Sequence, residues 1–172
     1  MSRRTFIERC SSVDQPGWLE LRLALWPDGT VDEHRGYMAM ALTQPDRFRQ
    51  LMMYDEHRQP AGFIEGSIRG DYVNGTQSSP VGFVEGVYVV PAWRRQGIAR
   101  QLFAAIGDWA RERGCRELAS DALIDNEASQ RAHLALGFHE TERVVYFTKA
   151  LKWGHSSIPS KRGQTCRSVP VC

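Results

Sequence analysis

Apolar residues along the chain recur with two spacings, one typical of strands and one typical of helices. Runs rich in β-branched and aromatic residues predict strands at Thr5 to Cys10, Arg47 to Tyr54, Pro60 to Ile68, Gly82 to Val90, Glu117 to Ala122 and His139 to Leu151. Helical spacing or dense apolar residues predict helices at Asp14 to Trp26, Tyr37 to Leu42, Gly97 to Gly114 and Asn126 to Leu136. The order β-α-α-β-β-β-α-β-α-β predicts an α+β (mixed α/β) domain around a mixed sheet, not a doubly wound one.

A basic turn joins the central strand to the helix that follows it. The turn, Arg94-Arg95-Gln96-Gly97-Ile98-Ala99, puts small residues at a helix start, where unpaired N–H groups and the positive end of the helix dipole attract anions. Arg100 adds another positive charge. The spacing fits neither a Walker loop nor a GxGxxG motif, so the residues alone leave open a phosphate-binding turn or an ordinary strand-to-helix turn.

The composition is that of one globular domain. The chain has 172 residues, of which 42% are hydrophobic and 24% charged, and we expect the domain to occupy residues 1–153. Residues 154–172 have no periodicity and contain two prolines, which predicts a disordered tail.

Charge and apolar runs restrict the partners that we expect. The net charge is +2, but three basic and no acidic residues fall in 154–172, so the body lacks the basic footprint of a nucleic-acid-binding protein. No apolar run approaches the about 18 residues of a membrane span, and a cytoplasmic protein is expected. The four cysteines are scattered without metal-ligand spacing, so we expect no metal.

Together with its flanking strand and helix, the basic turn resembles motif A of the GCN5-related N-acetyltransferase (GNAT) superfamily. That motif is [Q/R]-x-x-G-x-[G/A], here Arg94, Gly97 and Ala99. The chain is also similar to the aminoglycoside 6′-N-acetyltransferase branch in blocks that cover most of the body: Leu25-Trp26-Pro27, Asp71-Tyr72-Val73-Asn74-Gly75, Ser78-Ser79-Pro80-Val81, Glu85-Gly86, Ala119-Ser120-Asp121, Ala135-Leu136-Gly137-Phe138 and Glu140-Thr141-Glu142-Arg143.

The resemblance implies a GNAT fold, acetyl-CoA as cosubstrate, an aminoglycoside acceptor and a homodimer. The implied sheet is mostly antiparallel, with about four helices and with central strands that splay at a bulge, which we expect at Gly86. In this superfamily the turn holds the pyrophosphate, and the splayed strand offers backbone N–H groups to the pantetheine arm and the acyl carbonyl. The implied cofactor residues are Val87, Val89, Arg94, Arg95, Gln96, Gly97, Ile98, Ala99, Arg100, Asn126 and Ser129.

An aminoglycoside carries several protonated amines, so a site that binds it requires carboxylates. The candidate loops supply acids and no lysine, and two aromatic residues resemble the substrate-lining residues of the branch. The implied acceptor residues are Trp26, Asp32, Glu33, Tyr72, Glu85, Asp121 and Glu142. Acidic loops that are merely solvated, and a Trp26 packed at a helix end, are the alternative interpretations.

Direct acetyl transfer needs a base for the amine and an acid for the thiolate. Glu85 is the expected base, because a carboxylate within an apolar strand must be paired or face a cleft. Asp121 is the alternative base and otherwise an anchor for a substrate amine. His133 stands where many family members have an acidic tyrosine, and Tyr146 is the second candidate acid; simple packing is the alternative for both. Cys115 has no nearby His/Asp pattern, so a covalent acetyl-enzyme is not expected.

Two other functions remain open from the sequence. A polyamine or a protein amine is also cationic, so acidic loops do not exclude either as acceptor. A non-catalytic acyl-CoA-binding module would keep the basic turn but would not need the carboxylates at Glu85 and Asp121.

Overall fold

The structure, a computed structural model, describes residues 4–151, so the predicted tail at 154–172 lies outside the described residues. The strands are β1 Thr5–Arg9, β2 Phe48–Asp55, β3 Pro60–Arg69, β4 Val81–Val89 and β5 Leu118–Ser120. The helices are α1 Trp18–Leu25, α2 Val31–Thr43, α3 Ile98–Glu112 and α4 Glu127–Ala135, and a short 3-10 turn, Pro91–Trp93, follows β4. No helix within residues 4–151 has the length and apolar character needed to cross a membrane.

The strands form one sheet in chain order, β1-β2-β3-β4-β5. The first four strands are antiparallel neighbours, whereas β4 and β5 are parallel and pair only from Gly82 to Val84 on the β4 side. Because β5 ends at Ser120, the rest of β4 lies beyond its reach and the two strands diverge. The predicted α+β fold, with a mixed, mostly antiparallel sheet, four helices and splayed central strands, is confirmed.

Helices cover both faces of the sheet. Apolar residues of α3, including Ile98, Leu102 and Ile106, pack on one face in the larger core cluster. Residues of α1 and α2, such as Trp18 and Met38, form the second cluster on the opposite face. The sheet therefore separates an α3 layer from an α1–α2 layer, and alternate residues of each strand face one layer or the other.

A β-bulge interrupts the alternation of β4. Glu65 of β3 pairs with Gly86, but the next residue, Gly66, pairs with Val84. Glu85 is thus the extra residue, one position before the predicted Gly86. Opposite Glu65, Gly86 faces α1, since a Cβ on this glycine would lie 2.4 Å from the Trp26 ring.

The first helix begins at Trp18 and the fifth strand is shorter than predicted, and two further predicted elements differ more from the structure. The second helix begins at Val31, well before the predicted Tyr37, because Thr30 and Glu33 form a reciprocal capping box. The predicted strand from His139 to Leu151 is wrong: residues 138–151 have no regular secondary structure. The neighbouring edge strand, β5, is only three residues long and offers too short a partner for a further strand.

Candidate active site

Glu85 lies on the α1–α2 face of the sheet because of the bulge. Its carboxylate accepts a hydrogen bond from the Ser67 hydroxyl, and the Arg69 guanidinium lies 3.0 Å from both of its oxygens. Ser67 and Arg69 alternate with Glu65 on β3, so all three side chains and Glu85 share one face. The side chain of Glu85 is 22% exposed, which leaves it accessible from solvent. The structure therefore pairs the predicted base with a cation and still opens it to a cleft.

Arg69 closes one side of this cleft. Its guanidinium carbon lies 3.4 Å from the centre of the Phe83 ring, and its side chain is 39% exposed. A cavity of about 720 Å³ opens beside it and is lined by Glu85 together with Asp71 and Tyr72 of the polar loop after β3. The cavity is large enough for a sugar-sized ligand and carries carboxylates that suit a cationic one.

Trp26 lies against β4 at Gly86, the residue that follows Glu85. It follows directly after α1 and is half-buried, with its ring against Gly86 and edge-on to Phe63 at a centroid distance of 6.2 Å. The absence of a side chain at Gly86 is what lets the indole approach the strand. The ring therefore packs at a helix end, against the residue that follows Glu85, and its role in lining the acceptor site stays a prediction.

The other predicted acceptor residues surround this region to different degrees. Tyr72 is 78% exposed beside the cavity, and Asp121 directly follows β5 where the strands diverge. Alternation from Ala119, which pairs with Phe83, predicts that Asp121 points to the same face as Glu85. Glu142 is exposed in the irregular segment, whose Thr141 contacts Gly75 at the turn of the polar loop.

Two predicted acceptor acids lie in the first turn of α2. The Glu33 carboxylate accepts the backbone N–H of Thr30 at 2.8 Å, and the hydrogen bonds from Thr30 lower the pKa of Glu33. That carboxylate is engaged in capping its own helix, so an acceptor role would compete with the cap. Asp32 is exposed beside it.

The turn before α3 has the features of an anion site. Gly97 starts the helix at φ 83°, and within the described chain no side chain caps this N-terminus. Arg95 also has a positive φ, 60°, so two residues of this short turn have the left-handed φ that occurs in anion-binding backbone turns. A Cβ on Gly97 would meet no described atom within 4 Å, so the space above the first turn is open. These groups fit a phosphate or pyrophosphate.

Side chains of the turn also hold it in shape. Arg94 donates from Nε to the carbonyl of Val89 at 3.1 Å, and Gln96 donates to the carbonyl of Ala92 at 2.8 Å. Arg100 reaches the carbonyl of Ala135 at the end of α4 at 3.5 Å. Part of the predicted cofactor set therefore ties the turn to β4 and α4.

The free edge of β4 carries the predicted donors. The N–H of Val90 bonds to Ala61 of β3, so the N–H groups of Val89 and Val87 point away from β3 by the alternation of a strand. They point into the gap where β5 no longer pairs with β4. The splay thus leaves the two N–H groups without a pairing strand on the β5 side, between the Glu85 region and the basic turn.

Helix α4 brings His133 near the end of β5. The Asn126 side chain caps α4 by accepting the N–H of Ser129 at 3.1 Å. His133 lies 2.8 Å from the Ser129 carbonyl through Nδ1 and 3.0 Å from the Ser120 hydroxyl through Nε2. Its ring also packs edge-on to Phe103 and Phe138. His133 is both packed and hydrogen-bonded to a residue at the strand divergence.

The structure does not bring Tyr146 to these groups through a strand. Tyr146 is 80% exposed in the irregular segment, so it does not pack as a core aromatic, which was the alternative to its acid role. Cys115 is buried, and burial raises the pKa of its thiol, which disfavours a thiolate nucleophile there.

Sequence reasoning missed the partners of Glu85. Arg69 and Ser67 are 16 and 18 residues away in sequence. The predicted strand ends at Ile68, one residue before Arg69, and the bulge that turns Glu85 toward both residues depends on the pairing of β3 with β4. The sequence of neither strand alone indicates that pairing.

Comparisons with known proteins agree with this geometry. Residues 15–138 match the acetyltransferase (GNAT) family. The chain is 52% identical over 132 residues to an aminoglycoside N(6′)-acetyltransferase type 1 of Acinetobacter baumannii, an alignment that covers 77% of this chain and 89% of the relative.

Solved structures give the same result in three dimensions. The crystal structure of the aminoglycoside 6′-N-acetyltransferase AAC(6′)-Ih from Acinetobacter baumannii superposes with a TM-score of 0.81 at 47% identity, covering 87% of this chain and 100% of that one. AAC(6′)-Iy, in complex with the bisubstrate analogue CoA-S-monomethyl-acetylneamine, gives a TM-score of 0.81 at 40% identity and covers 86% of this chain and 99% of its own.

Proposed function

The chain belongs to the acetyltransferase (GNAT) family, and we propose that it transfers the acetyl group of acetyl-CoA to the 6′-amine of aminoglycoside antibiotics and thereby confers resistance to them. The similarity to aminoglycoside N(6′)-acetyltransferases over most of the chain carries this proposal. The relatives named above do not favour a polyamine acceptor, a protein-amine acceptor or a non-catalytic acyl-CoA-binding role. The carboxylates around the diverging strands support a cationic acceptor.

The residues before and within the first turn of α3 hold acetyl-CoA in this proposal. Acetyl-CoA supplies an acetyl thioester and a pyrophosphate. The first-turn N–H groups from Gly97 to Arg100, with Arg95 beside them, bind the phosphates. The N–H groups of Val87 and Val89 bind the pantetheine arm and polarise the acyl carbonyl from the free edge of β4. Ser129 and Asn126 set the start of α4 on the other side of the gap.

Glu85 and Asp121 act on the acceptor. Glu85 accepts a proton from the attacking amine, directly or through a water, and Asp121 anchors a second amine or takes over as base. Trp26 and Tyr72 stack on the sugar rings, while Glu142 and the acids at the start of α2 attract the remaining ammonium groups. Because Arg69 already pairs with Glu85, the acceptor ammonium competes with a cation of the protein itself.

His133 is the stronger candidate for the group that protonates the departing thiolate. Its Nδ1–H is donated to the Ser129 carbonyl, so the proton that it gives up is the second proton of the charged imidazolium, on Nε2. That nitrogen contacts the Ser120 hydroxyl at the end of β5, which can pass a proton toward the divergence of the strands. Tyr146 is exposed in the irregular segment and would need that segment to change its position.

We further propose that the protein acts as a homodimer in the cytoplasm, where acetyl-CoA is made. Val145, Tyr146 and Phe147 are 76%, 80% and 90% exposed in succession, an apolar surface that a second copy of the chain would cover. Size-exclusion chromatography with light scattering tests this: the mass of two chains is expected, and Phe147→Lys should shift the protein toward the mass of one.

One experiment tests the reaction. Purified protein is mixed with acetyl-CoA and kanamycin, free thiol is followed over time, and NMR identifies the acetylated nitrogen. We expect thiol release at the rate of product formation and acetylation at the 6′-amine. A kanamycin analogue with a hydroxyl at that position is the matched control and should release no thiol. Spermidine and a lysine peptide serve as competing acceptors, and faster turnover of either would overturn the proposed substrate class.

A further inference from the structure

A buried polar cluster lies directly behind Trp26. Arg22, His34 and Glu65 come from α1, α2 and β3, and each is at most 1% exposed. Arg22 forms an ion pair with Glu65, and the indole N–H of Trp18 donates to the other Glu65 oxygen at 2.7 Å. A buried ion pair of this kind stabilises little by itself, but removing one partner is strongly unfavourable, so its geometry is tightly held.

Arg22 and His34 together fix the position of Trp26. The Arg22 guanidinium lies between two rings, 4.6 Å from the centre of Trp26 and 4.4 Å from that of Tyr37. Nε of Arg22 donates to Nδ1 of His34 at 3.2 Å, and Nε2 of His34 lies 3.1 Å from the carbonyl oxygen of Trp26. The imidazole thus bridges the arginine side chain and the backbone of Trp26.

The hydrogen bonds assign one protonation state to His34. Arg22 has only donors, so Nδ1 must accept, and the ring proton must be on Nε2, where it is donated to Trp26. A second proton on Nδ1 would oppose the Arg22 N–H and put two positive charges in contact. The ring has little room to move, since a Cβ on Gly29 would lie 2.7 Å from its Nε2.

We propose that His34 is a positioning residue for the acceptor site: as a neutral imidazole it holds Trp26 on Gly86 beside Glu85, and a proton on its Nδ1 releases that wall and weakens acceptor binding. This inference rests on the proposed function, because it assigns Trp26 to the aminoglycoside site. His34 does not touch the reacting atoms and acts only through Trp26.

The charged groups around His34 act in both directions. Burial lowers the pKa of His34 and the charge of Arg22 adds to this, while the hydrogen bond to Trp26 and the carboxylates Glu65 and Glu33 raise it; the net direction is downward. The neutral form is therefore the dominant one at neutral pH, and protonation sets in only below the ordinary value of 6.5. The release of Trp26 is therefore confined to pH values below the ordinary histidine range.

A matched pair of variants separates position from protonation. In His34→Gln, the side-chain amide offers an acceptor to Arg22 and a donor to the Trp26 carbonyl, as the neutral imidazole does, but it does not titrate. In His34→Leu, the volume is kept but both bonds are lost. The KM for kanamycin is measured for the wild type and the two variants at about pH 7.5 and about pH 5.5, on either side of the ordinary pKa of histidine. The KM for acetyl-CoA is the internal control.

The ratio of wild type to His34→Gln cancels the titration of the substrate amines. We expect a kanamycin KM ratio near one at the higher pH and a rise of roughly threefold to tenfold at the lower pH, a change of about 0.7 to 1.4 kcal/mol. His34→Leu should raise the kanamycin KM at both pH values. The KM for acetyl-CoA should change little in any variant. A ratio that is the same at both pH values, or equal changes in the two KM values, would overturn the proposal.

NMR provides a readout that does not need turnover. Long-range proton–nitrogen correlations should show the Nε2–H tautomer of His34. The indole N–H signal of Trp26 is assigned with the variant Trp26→Phe. That signal should shift when His34 is protonated in the wild type, and it should not shift with pH in His34→Gln. An Nδ1–H tautomer, or an indole signal that does not follow His34, would refute the proposal. Failure of the proposed function would appear differently, as a wild-type protein that acetylates no aminoglycoside at any pH.

Discussion

The ion pair between Arg69 and Glu85 makes a quantitative prediction for acceptor binding. One nitrogen of Arg69 lies 3.0 Å from both oxygens of Glu85, and the guanidinium stacks on Phe83. An aminoglycoside ammonium that binds Glu85 must compete with this resident cation. Replacing Arg69 by Gln removes the competing charge and should therefore tighten acceptor binding.

The expected magnitude follows from the exposure of the pair. The side chains of Arg69 and Glu85 are 39% and 22% exposed, so solvent screens the pair and its net strength is about 1 kcal/mol, at the upper end for exposed pairs. Without that competition, the KM for kanamycin should fall about fivefold in Arg69→Gln. Arg69→Lys keeps the charge and should stay near the wild-type value. The KM for acetyl-CoA should not change, since the basic turn lies on the other side of β4.

Steady-state kinetics with free-thiol detection measures these constants. Arg58→Gln is the matched control, because Arg58 pairs with Glu8 at 2.9 Å and lies over the Tyr54 ring at the opposite end of the sheet. That variant should leave both KM values unaltered. A kanamycin KM that rises or stays constant in Arg69→Gln, with a normal urea unfolding midpoint, would refute the idea that Arg69 competes with the acceptor.

Three further predictions concern the base, the wall and the helix cap. Glu85→Gln or Asp121→Asn should reduce turnover by roughly 10²-fold or more with acetyl-CoA affinity nearly intact, measured by kinetics and calorimetry; normal turnover in both would contradict the catalytic assignment. Gly86→Ala should raise the kanamycin KM and destabilise the fold by about 1–3 kcal/mol in urea unfolding, because its Cβ would lie 2.4 Å from the Trp26 ring; an unchanged KM would argue against Trp26 as a wall. The pKa of Glu33 is lowered from its ordinary 4.5, so the ionised Glu33 stabilises the folded protein above that value, and this stabilisation is lost as the pH falls through the lowered pKa. Glu33→Gln should therefore reduce the decrease of the unfolding free energy at acidic pH. The same decrease in the variant and the wild type would contradict this prediction.

Local signals predicted the elements whose ends are marked by particular residues. Gly97 and Gly114 bracket α3, and the structure gives Ile98–Glu112 with left-handed backbone at both glycines. The Asn126 cap of α4 was equally visible. The ends of α3 and α4 are determined by one or two residues and by the backbone conformation of those residues. Signals of this local kind can be identified in a single sequence.

One error was local, because Thr30 and Glu33 have the spacing of a capping box, which begins the helix at Val31 and not at Tyr37. The other errors arose where the outcome depends on a distant partner. The β-branched and aromatic residues after His139 suggested a strand, but a strand also needs an adjacent edge, and β5 ends at Ser120. The face of Glu85 could not be derived, because one unpaired residue reverses the alternation that such a derivation uses.

The bulge at Glu85 also bears on how this strand can change during evolution. The valines on both sides of the bulge remain in the core under α3: Val84 before it, and Val87 and Val89 after it. Glu85 and Gly86 are both turned to the opposite face of the sheet. Substitutions at Glu85 and Gly86 therefore act on the reaction and on the contact with Trp26, and they leave the packing under α3 unaltered, so the two faces of the strand are independent of each other. Deletion of a single residue here would restore regular alternation and remove that independence, so length variation in β4 should be far rarer than substitution.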